Sequence, residues 1–194
     1  MMTEDYPEKD GRLVWLNRDE VDRLLDVADG PLQRVAFRLG SECGLRSHEV
    51  VDVTPSDVVD TDAGKMLVVQ RGKGDKQRET PIPDSLADLV EFAASYDDAD
   101  ADDVLVDVTT RTLRNWTENA RDQLLEETDE TRWEYVTFHD LRRTWAGQLA
   151  NRDVDETVAL RWGGWNDLDT FLRHYRGEAT AAAQRRERDK VDWL

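Results

Sequence analysis

Residues 66 to 82 carry the clearest strand signal in the chain. Met66-Leu67-Val68-Val69-Gln70 and Gln77 to Ile82 read as two strands, joined across Gly72-Lys73-Gly74-Asp75-Lys76 as a hairpin turn. Most other segments place apolar residues at helical spacing. The pattern predicts an α+β fold that is mainly α-helical, with one small antiparallel sheet near residues 58–82. The hairpin would project two lysines.

The helices can be bounded from their ends. Asn17 is a natural N-cap for Arg18 to Ala28, with Val21, Leu24 and Leu25 on one face. Gly30-Pro31 breaks that helix and starts another from Leu32 to about Cys43, which Gly44 closes. A short helix begins near Ser47, and Pro55-Ser56-Asp57 form a turn. Pro83-Asp84 opens a helix to about Ser95. Val104-Leu105-Val106 reads as a short buried strand or an anchor. Thr110 caps a helix carrying Leu113, Trp116, Ala120 and Leu124. Leu141, Trp145 and Leu149 recur at i, i+4 and i+8 within a helix from Phe138 to Asn151. Segments 157–162, 168–175 and 179–190 complete the helical reading. Residues 1–16 read as an irregular lead-in, residues 178–194 as a helical tail, and no domain boundary is visible.

Composition narrows the function. The chain holds 43 Asp and Glu against 26 Lys and Arg, a net charge of −17. Only five of the bases are lysine, and Ile82 is the sole isoleucine. Such a balance resembles proteins of cytoplasms that hold molar salt, where carboxylates keep the surface hydrated. Seven tryptophans and clear periodicity argue against a disordered acidic chain. One cysteine excludes a disulfide framework, and the scattered His48, His139 and His174 form no zinc motif. No apolar run approaches the roughly 20 residues that span a bilayer, and the polar N-terminus is no signal peptide. The expectation is a soluble cytoplasmic protein.

The acid load is uneven. Asp84 to Asp103 holds eight acids and no base, whereas Arg71 to Arg78 holds four bases and one acid. Phe138 to Arg176 holds six of each. In the second of these stretches, His139 and Arg142 lie three apart at a helix start and so share a face. A helix N-terminus there would add unpaired N–H groups for an oxyanion. Tyr175 follows 33 residues after Arg142.

Four motifs stand in order. They are Gly44-Leu45-Arg46 with Glu49, Gly72 to Arg78 with its lysines, His139-Asp140-Leu141-Arg142-Arg143-Thr144, and Gly164-Trp165 followed by Tyr175. Together they resemble the catalytic domain of the tyrosine recombinases, the family of phage integrases and Xer-type resolvases. The likeness runs over residues 32–176. Trp165 stands where many members have histidine, and it lies ten residues before Tyr175, one more than the commonest spacing. Only about 30 residues precede the likeness, against the clamping helical domain of about a hundred residues that most members carry, so the sequence is either a fragment or a member that manages without the clamp. The expectation is therefore a single catalytic domain, 1–194, without that N-terminal domain.

The resemblance implies a site-specific recombinase or integrase that cuts and rejoins DNA strands without metal or cofactor. Arg46 and Arg142 would hold the non-bridging oxygens of the scissile phosphate with charge-assisted bonds. Tyr175 would be the nucleophile, with His139 as proton acceptor or phosphate donor. Lys73 would protonate the leaving 5′-oxygen, and Lys76 is the competing lysine. Trp165 could offer its indole N–H to a phosphate oxygen, and Glu49 would orient Arg46. Taken singly, Arg46 reads as a helix cap, the lysines as a solvated loop, His139 as a structural hydrogen-bonder and Tyr175 as core. It is the four motifs in order that point to the chemistry.

The partners implied are double-stranded DNA and further copies of the chain, a tetramer on DNA, with the tail ending in Trp193-Leu194 suited to dock into a neighbour. At near-molar salt the screening length falls to about 3 Å. DNA binding would then rest on short direct contacts from Arg71, Lys76, Arg78, Arg143 and Arg173. The alternatives are a relaxing enzyme of the same chemistry and an inactive DNA-binding relic.

Overall fold

The computed structural model describes the backbone of residues 1–5, 11–70, 77–96, 100–175, 185 and 188–193; the side chains of 93–96 and 173–175 fall outside the described set. The sheet is three-stranded and antiparallel. β3 (Val58–Thr61) pairs with β4 (Gly64–Val69), which pairs with β5 (Arg78–Pro81). The register sets Leu67 opposite Thr80 and Val69 opposite Arg78. The turn expected at 72–76 lies outside the described residues.

A second sheet replaces the irregular lead-in expected over residues 1–16. β1 (Met2–Asp5) and β2 (Arg12–Trp15) pair antiparallel, Met2 against Trp15 and Asp5 against Arg12. β1 is half acidic and carries no strand periodicity. It forms because β2 is fastened to the interior, and Leu13, Val14 and Trp15 are buried there.

The helices fall close to their expected ranges. α1 (Arg18–Asp26) is capped by Asn17, whose side chain accepts from the Glu20 N–H at 2.9 Å while Glu20 accepts the Asn17 N–H at 2.7 Å. α2 (Pro31–Glu42) follows, then α3 (Ser47–Val50) and a 3₁₀ turn at Pro55–Asp57. α4 is Asp84–Tyr96. Val104 to Val106 is an anchor rather than a strand: the Leu105 N–H donates to the Val53 carbonyl at 2.8 Å, and Val106 is fully buried. The cap of α5 (Thr110–Thr128) is Thr109, one residue earlier than expected, because its side chain accepts the Thr112 N–H. α6 (Phe138–Asn151), α7 (Glu156–Gly163) and α8 (Leu168–Tyr175) complete the described elements, apart from a 3₁₀ turn at Thr131–Tyr135 and short helical pieces of the tail. Most of the expected 179–190 helix lies outside the described residues.

Two apolar clusters hold these pieces. The larger joins α1, α2, α5, the first half of α6 and the β4 side of the sheet, around Leu24, Phe37, Leu39, Leu67, Leu113 and Leu141. α2 and α6 approach closely at Gly40, where a Cβ would fall 3.1 Å from the Leu141 Cβ. The smaller cluster lies farther along α6. There Trp145 and Ala146 pack with Ala159, Trp165 and Phe171, mounting α7 and α8. One helix thus carries the core on its first turns and the Tyr175-bearing segment on its later ones. No described helix is long and apolar enough to cross a membrane.

Candidate functional site

The site begins where α2 ends. Gly44 takes φ +69°, a left-handed value that glycine adopts without strain, and a Cβ there would lie 2.2 Å from the Trp145 ring. The chain thereby reaches Arg46, the residue that leads into α3. Glu49, one turn on, folds back: it accepts the Arg46 N–H at 2.7 Å and Arg46 Nη1 at 2.8 Å. Arg78, from β5, meets the same carboxylate as a fork, Nη1 to Oε1 at 2.7 Å and Nη2 to Oε2 at 2.8 Å. Its Nε donates to the Trp162 carbonyl at 2.9 Å. Burial alone would push Glu49 upward, but the Arg78 bonds and charge, with those of Arg46, bring its pKa down to about 2. Glu49 is therefore an anion at any ordinary pH.

α6 supplies the second part. Thr137 gives its N–H and hydroxyl to Asp140 Oδ2 at 2.8 and 2.6 Å. The other carboxylate oxygen takes the Val14 N–H of β2 at 3.1 Å and the Arg143 guanidinium. Burial pushes the Asp140 carboxyl above its ordinary value against the pull of Arg143, Thr137 and Val14. The Leu16 N–H donates to Thr144 Oγ1 at 2.9 Å, so β2 is stitched along the helix. Asp140 thus brings the chain's own carboxylate to the start of α6, bonded to Thr137, Val14 and Arg143.

Arg142 points to the opposite side. Its guanidinium bonds the Gly44 carbonyl and, at 2.6 Å, the Gly163 carbonyl, and lies 4.7 Å from the Trp165 ring centre. Trp165 stacks on Trp145 at 5.9 Å and leans on Phe171 at 4.9 Å. Gly163 has no room for a side chain, since a Cβ would meet Trp165 at 2.1 Å. Gly164 turns left-handed at φ +63°, and a Cβ on it would fall 2.8 Å from Arg78 Cδ.

Arg46, Arg142 and Trp165 are thus gathered around the Gly44 and Gly163–Gly164 turns. Arg46 is partly open, Arg142 fully buried and Trp165 nearly so. His139 is exposed at the start of α6, so it does not share the buried environment of Arg142. Lys73, Lys76 and Arg71 lie outside the described residues. Tyr175 and Arg173 end α8, with their side chains outside the described set.

Two expected DNA contacts are corrected. Arg78 is buried and committed to Glu49 and Trp162. Arg143 is buried against Asp140, with its guanidinium 5.6 Å from the Trp15 ring centre. Both guanidinium groups are engaged by the chain's own acceptors. Glu49, 29 residues from Arg78, is not readable as its partner from spacing, whereas Asp140 stands three residues before Arg143 on α6, and what spacing does not show is the burial of that pair. A cleft of about 640 Å³ opens between β5 and α7, with Arg78, Trp162 and Trp165 in its wall. Arg161, which the motifs do not include, is exposed at the same cleft.

The phage integrase family model matches residues 14–181, a span that includes all four motifs. The chain belongs to the phage integrase family. It is similar to the tyrosine recombinase XerA of Thermococcus kodakarensis, 31% identical over 157 residues, covering 80% of this chain and 55% of that one. The XerA of Thermococcus onnurineus is 28% identical over 158 residues, with the same coverage. The chain spans about half the length of these curated relatives. Phage integrase folds recur among solved structures. The Tn1549 transposon integrase in complex with a circular intermediate DNA superposes with TM-score 0.74 at 15% identity, over 96% of this chain and 68% of that one. The XerA recombinase crystal structure gives 0.69 at 21%, over 92% and 65%. The catalytic domain of bacteriophage HP1 integrase gives 0.62 at 20%, over 94% and 96%. The mainly helical α+β fold is that of the family's catalytic domain.

Proposed function

We propose that this chain is the catalytic part of a site-specific DNA recombinase, cutting and rejoining strands through a 3′-phosphotyrosine. The observation that carries the reading is the convergence of Arg46, Arg78 and Arg142 on the Gly44 and Gly163–Gly164 turns. In a chain of net charge −17, that gathers guanidinium groups beside the segment that runs through Trp165 to Tyr175. A phosphodiester gains negative charge as a nucleophile adds, and preorganised donors stabilise it.

Tyr175 attacks the phosphorus, forming the P–O(Tyr) bond as the bond to the 5′-oxygen breaks. A phenol of pKa about 10 needs a proton acceptor, and His139, exposed at the head of α6, takes that role. Lys73 returns a proton to the leaving 5′-oxygen. Arg46, the more open arginine, donates directly to the phosphate, and Arg142 lies beneath as the buried charge. Trp165 packs the turn before the nucleophile. Attack by another strand's 5′-hydroxyl reverses the step, so no external energy source is needed.

The substrate is duplex DNA in the cytoplasm, and exchange between paired sites calls for a homotetramer. Arg71, Lys76 and Arg173 remain the proposed direct DNA contacts. The test is incubation with nicked duplexes tiled across the DNA that flanks the gene, seeking a covalent protein–DNA adduct. Adduct formation that is lost in Arg46→Met and Arg142→Met is the expected result. Both variants reacting like wild type would contradict the assignment.

A further inference from the structure

We propose that Arg78 is a positioning residue for strand cleavage, holding Arg46 and the Trp162–Trp165 segment in one fixed relation by bridging Glu49 and the Trp162 carbonyl. The inference rests on the cleavage reading above and adds to it a residue that acts through others.

The geometry is specific. Each Glu49 oxygen accepts two N–H groups. Oε1 takes Arg46 Nη1 and Arg78 Nη1, and Oε2 takes the Arg46 N–H and Arg78 Nη2. Arg78 therefore supplies half of the bonds that hold the carboxylate against Arg46. Its third edge, Nε, reaches the last turn of α7 at the Trp162 carbonyl. The partners lie 29 and 84 residues away, and the shaft of the side chain passes close to Gly164. One guanidinium thus joins β5, α3 and the turn before Trp165. The Glu49 side chain is fully buried and the Arg78 side chain 6% exposed, whereas that of Arg46 is 18% exposed, open on one side for a ligand. A planar fork with donors on three nitrogens makes this bridge, and a lysine ammonium does not.

The charged groups around Glu49 are Arg46 on α3 and Arg78 on β5, with Asp52 and Asp57 lining the same small cavity. Of the influences that keep Glu49 ionised, the Arg78 bonds are the largest, set against a burial that favours the neutral acid. Without Arg78 the carboxyl protonates more readily in mild acid, and Arg46 then loses its ion-pair partner.

The experiment measures single-turnover adduct formation by wild type, Arg78→Lys and Arg78→Met on the flanking-DNA segment that wild type cleaves, from mildly acid to neutral pH. Arg78→Lys is expected to lower the rate at saturating DNA by roughly tenfold to 100-fold, the scale of a small misplacement, while half-saturation shifts less than about threefold. Arg78→Met is expected to lower it similarly and to lose further rate toward acid pH. Wild-type rates and pH profiles in both variants would overturn the proposal. Should either variant fail to fold, Glu49→Gln serves in its place: a comparable loss supports the bridge, and a wild-type rate overturns it. If wild type forms no adduct on any segment, the cleavage reading fails, and the bridge is judged by ¹⁵N NMR of the Arg46 Nε–Hε group. Greater mobility in Arg78→Lys than in wild type supports it, and equal mobility overturns it.

Discussion

Gly163→Ala should loosen the site without straining the backbone. Gly163 is the last residue of α7, and its φ is not left-handed, so alanine meets no conformational penalty there. Its Cβ would lie 2.1, 2.3 and 2.5 Å from three atoms of the Trp165 ring. The ring has little freedom to retreat. It stacks on Trp145, leans on Phe171 and lies beside the Arg142 guanidinium. Overpacking of this kind costs about 1–3 kcal/mol. Losing part of the aromatic contacts adds about 0.5–1.5 kcal/mol, and the better helix propensity of alanine returns at most about 1 kcal/mol. The net expectation is a loss of about 1–3 kcal/mol, a fall in Tm of roughly 3–10 °C for a chain of this size. Thermal unfolding followed by tryptophan fluorescence reads it. Gly30→Ala is the control: with φ +88° and ψ 173°, and nothing within 4 Å of its Cβ, it carries backbone strain alone, about 1–3 kcal/mol. A Gly163→Ala protein as stable as wild type, with its tryptophan fluorescence unchanged, would refute the packing argument.

Three further outcomes follow from the same contacts. Glu49 has a folded pKa near 2 against an ordinary 4.5, so its ion pairs contribute about 3 kcal/mol above that ordinary value, lost as pH falls through the window from 4.5 to 2. Asp140 is shifted the other way and opposes this trend; Glu49→Gln should therefore flatten the acid limb of denaturant unfolding measured against pH, and an unchanged limb would contradict the assignment. Asp140→Ala leaves Arg143 buried without its carboxylate and frees the Val14 N–H, so it should cost about 3–5 kcal/mol in urea unfolding, while Asp140→Leu with Arg143→Leu should cost less than the two single changes summed. DNA affinity should fall only shallowly between low and high salt if Arg71, Lys76 and Arg173 are the main phosphate contacts, because the slope scales with the number of phosphates neutralised; a steep slope in filter binding would mean that more phosphates are neutralised than these three supply.

Where the signal was local, the sequence was legible. Asn17 with Glu20 defines the start of α1, and the i, i+4, i+8 series of Leu141, Trp145 and Leu149 matches the full span of α6. The four motifs located Arg46, Arg142 and Trp165 near one another because they sit on either side of turns that need glycine. What could not be read was the identity of distant partners. Arg78 looks like a surface cation in a basic stretch, and only the fold brings Glu49 to it; Arg143 has Asp140 three residues away on its own helix, and what the spacing does not show is that β2 closes over the pair. β1 was invisible for a related reason: Met2 to Asp5 has no pattern of its own and exists as the partner of a buried strand. Spacing also does not show that His139 is exposed while its helix neighbour Arg142 is fully buried.

The most direct test of the account is to trap the adduct on a nicked flanking-DNA duplex, digest it, and identify the DNA-linked peptide by mass spectrometry. The account predicts a 3′-phosphate joined to Tyr175, a free 5′-hydroxyl on the released strand, and no adduct from Tyr175→Phe. Linkage to any other residue, or an adduct that persists in Tyr175→Phe, would contradict it.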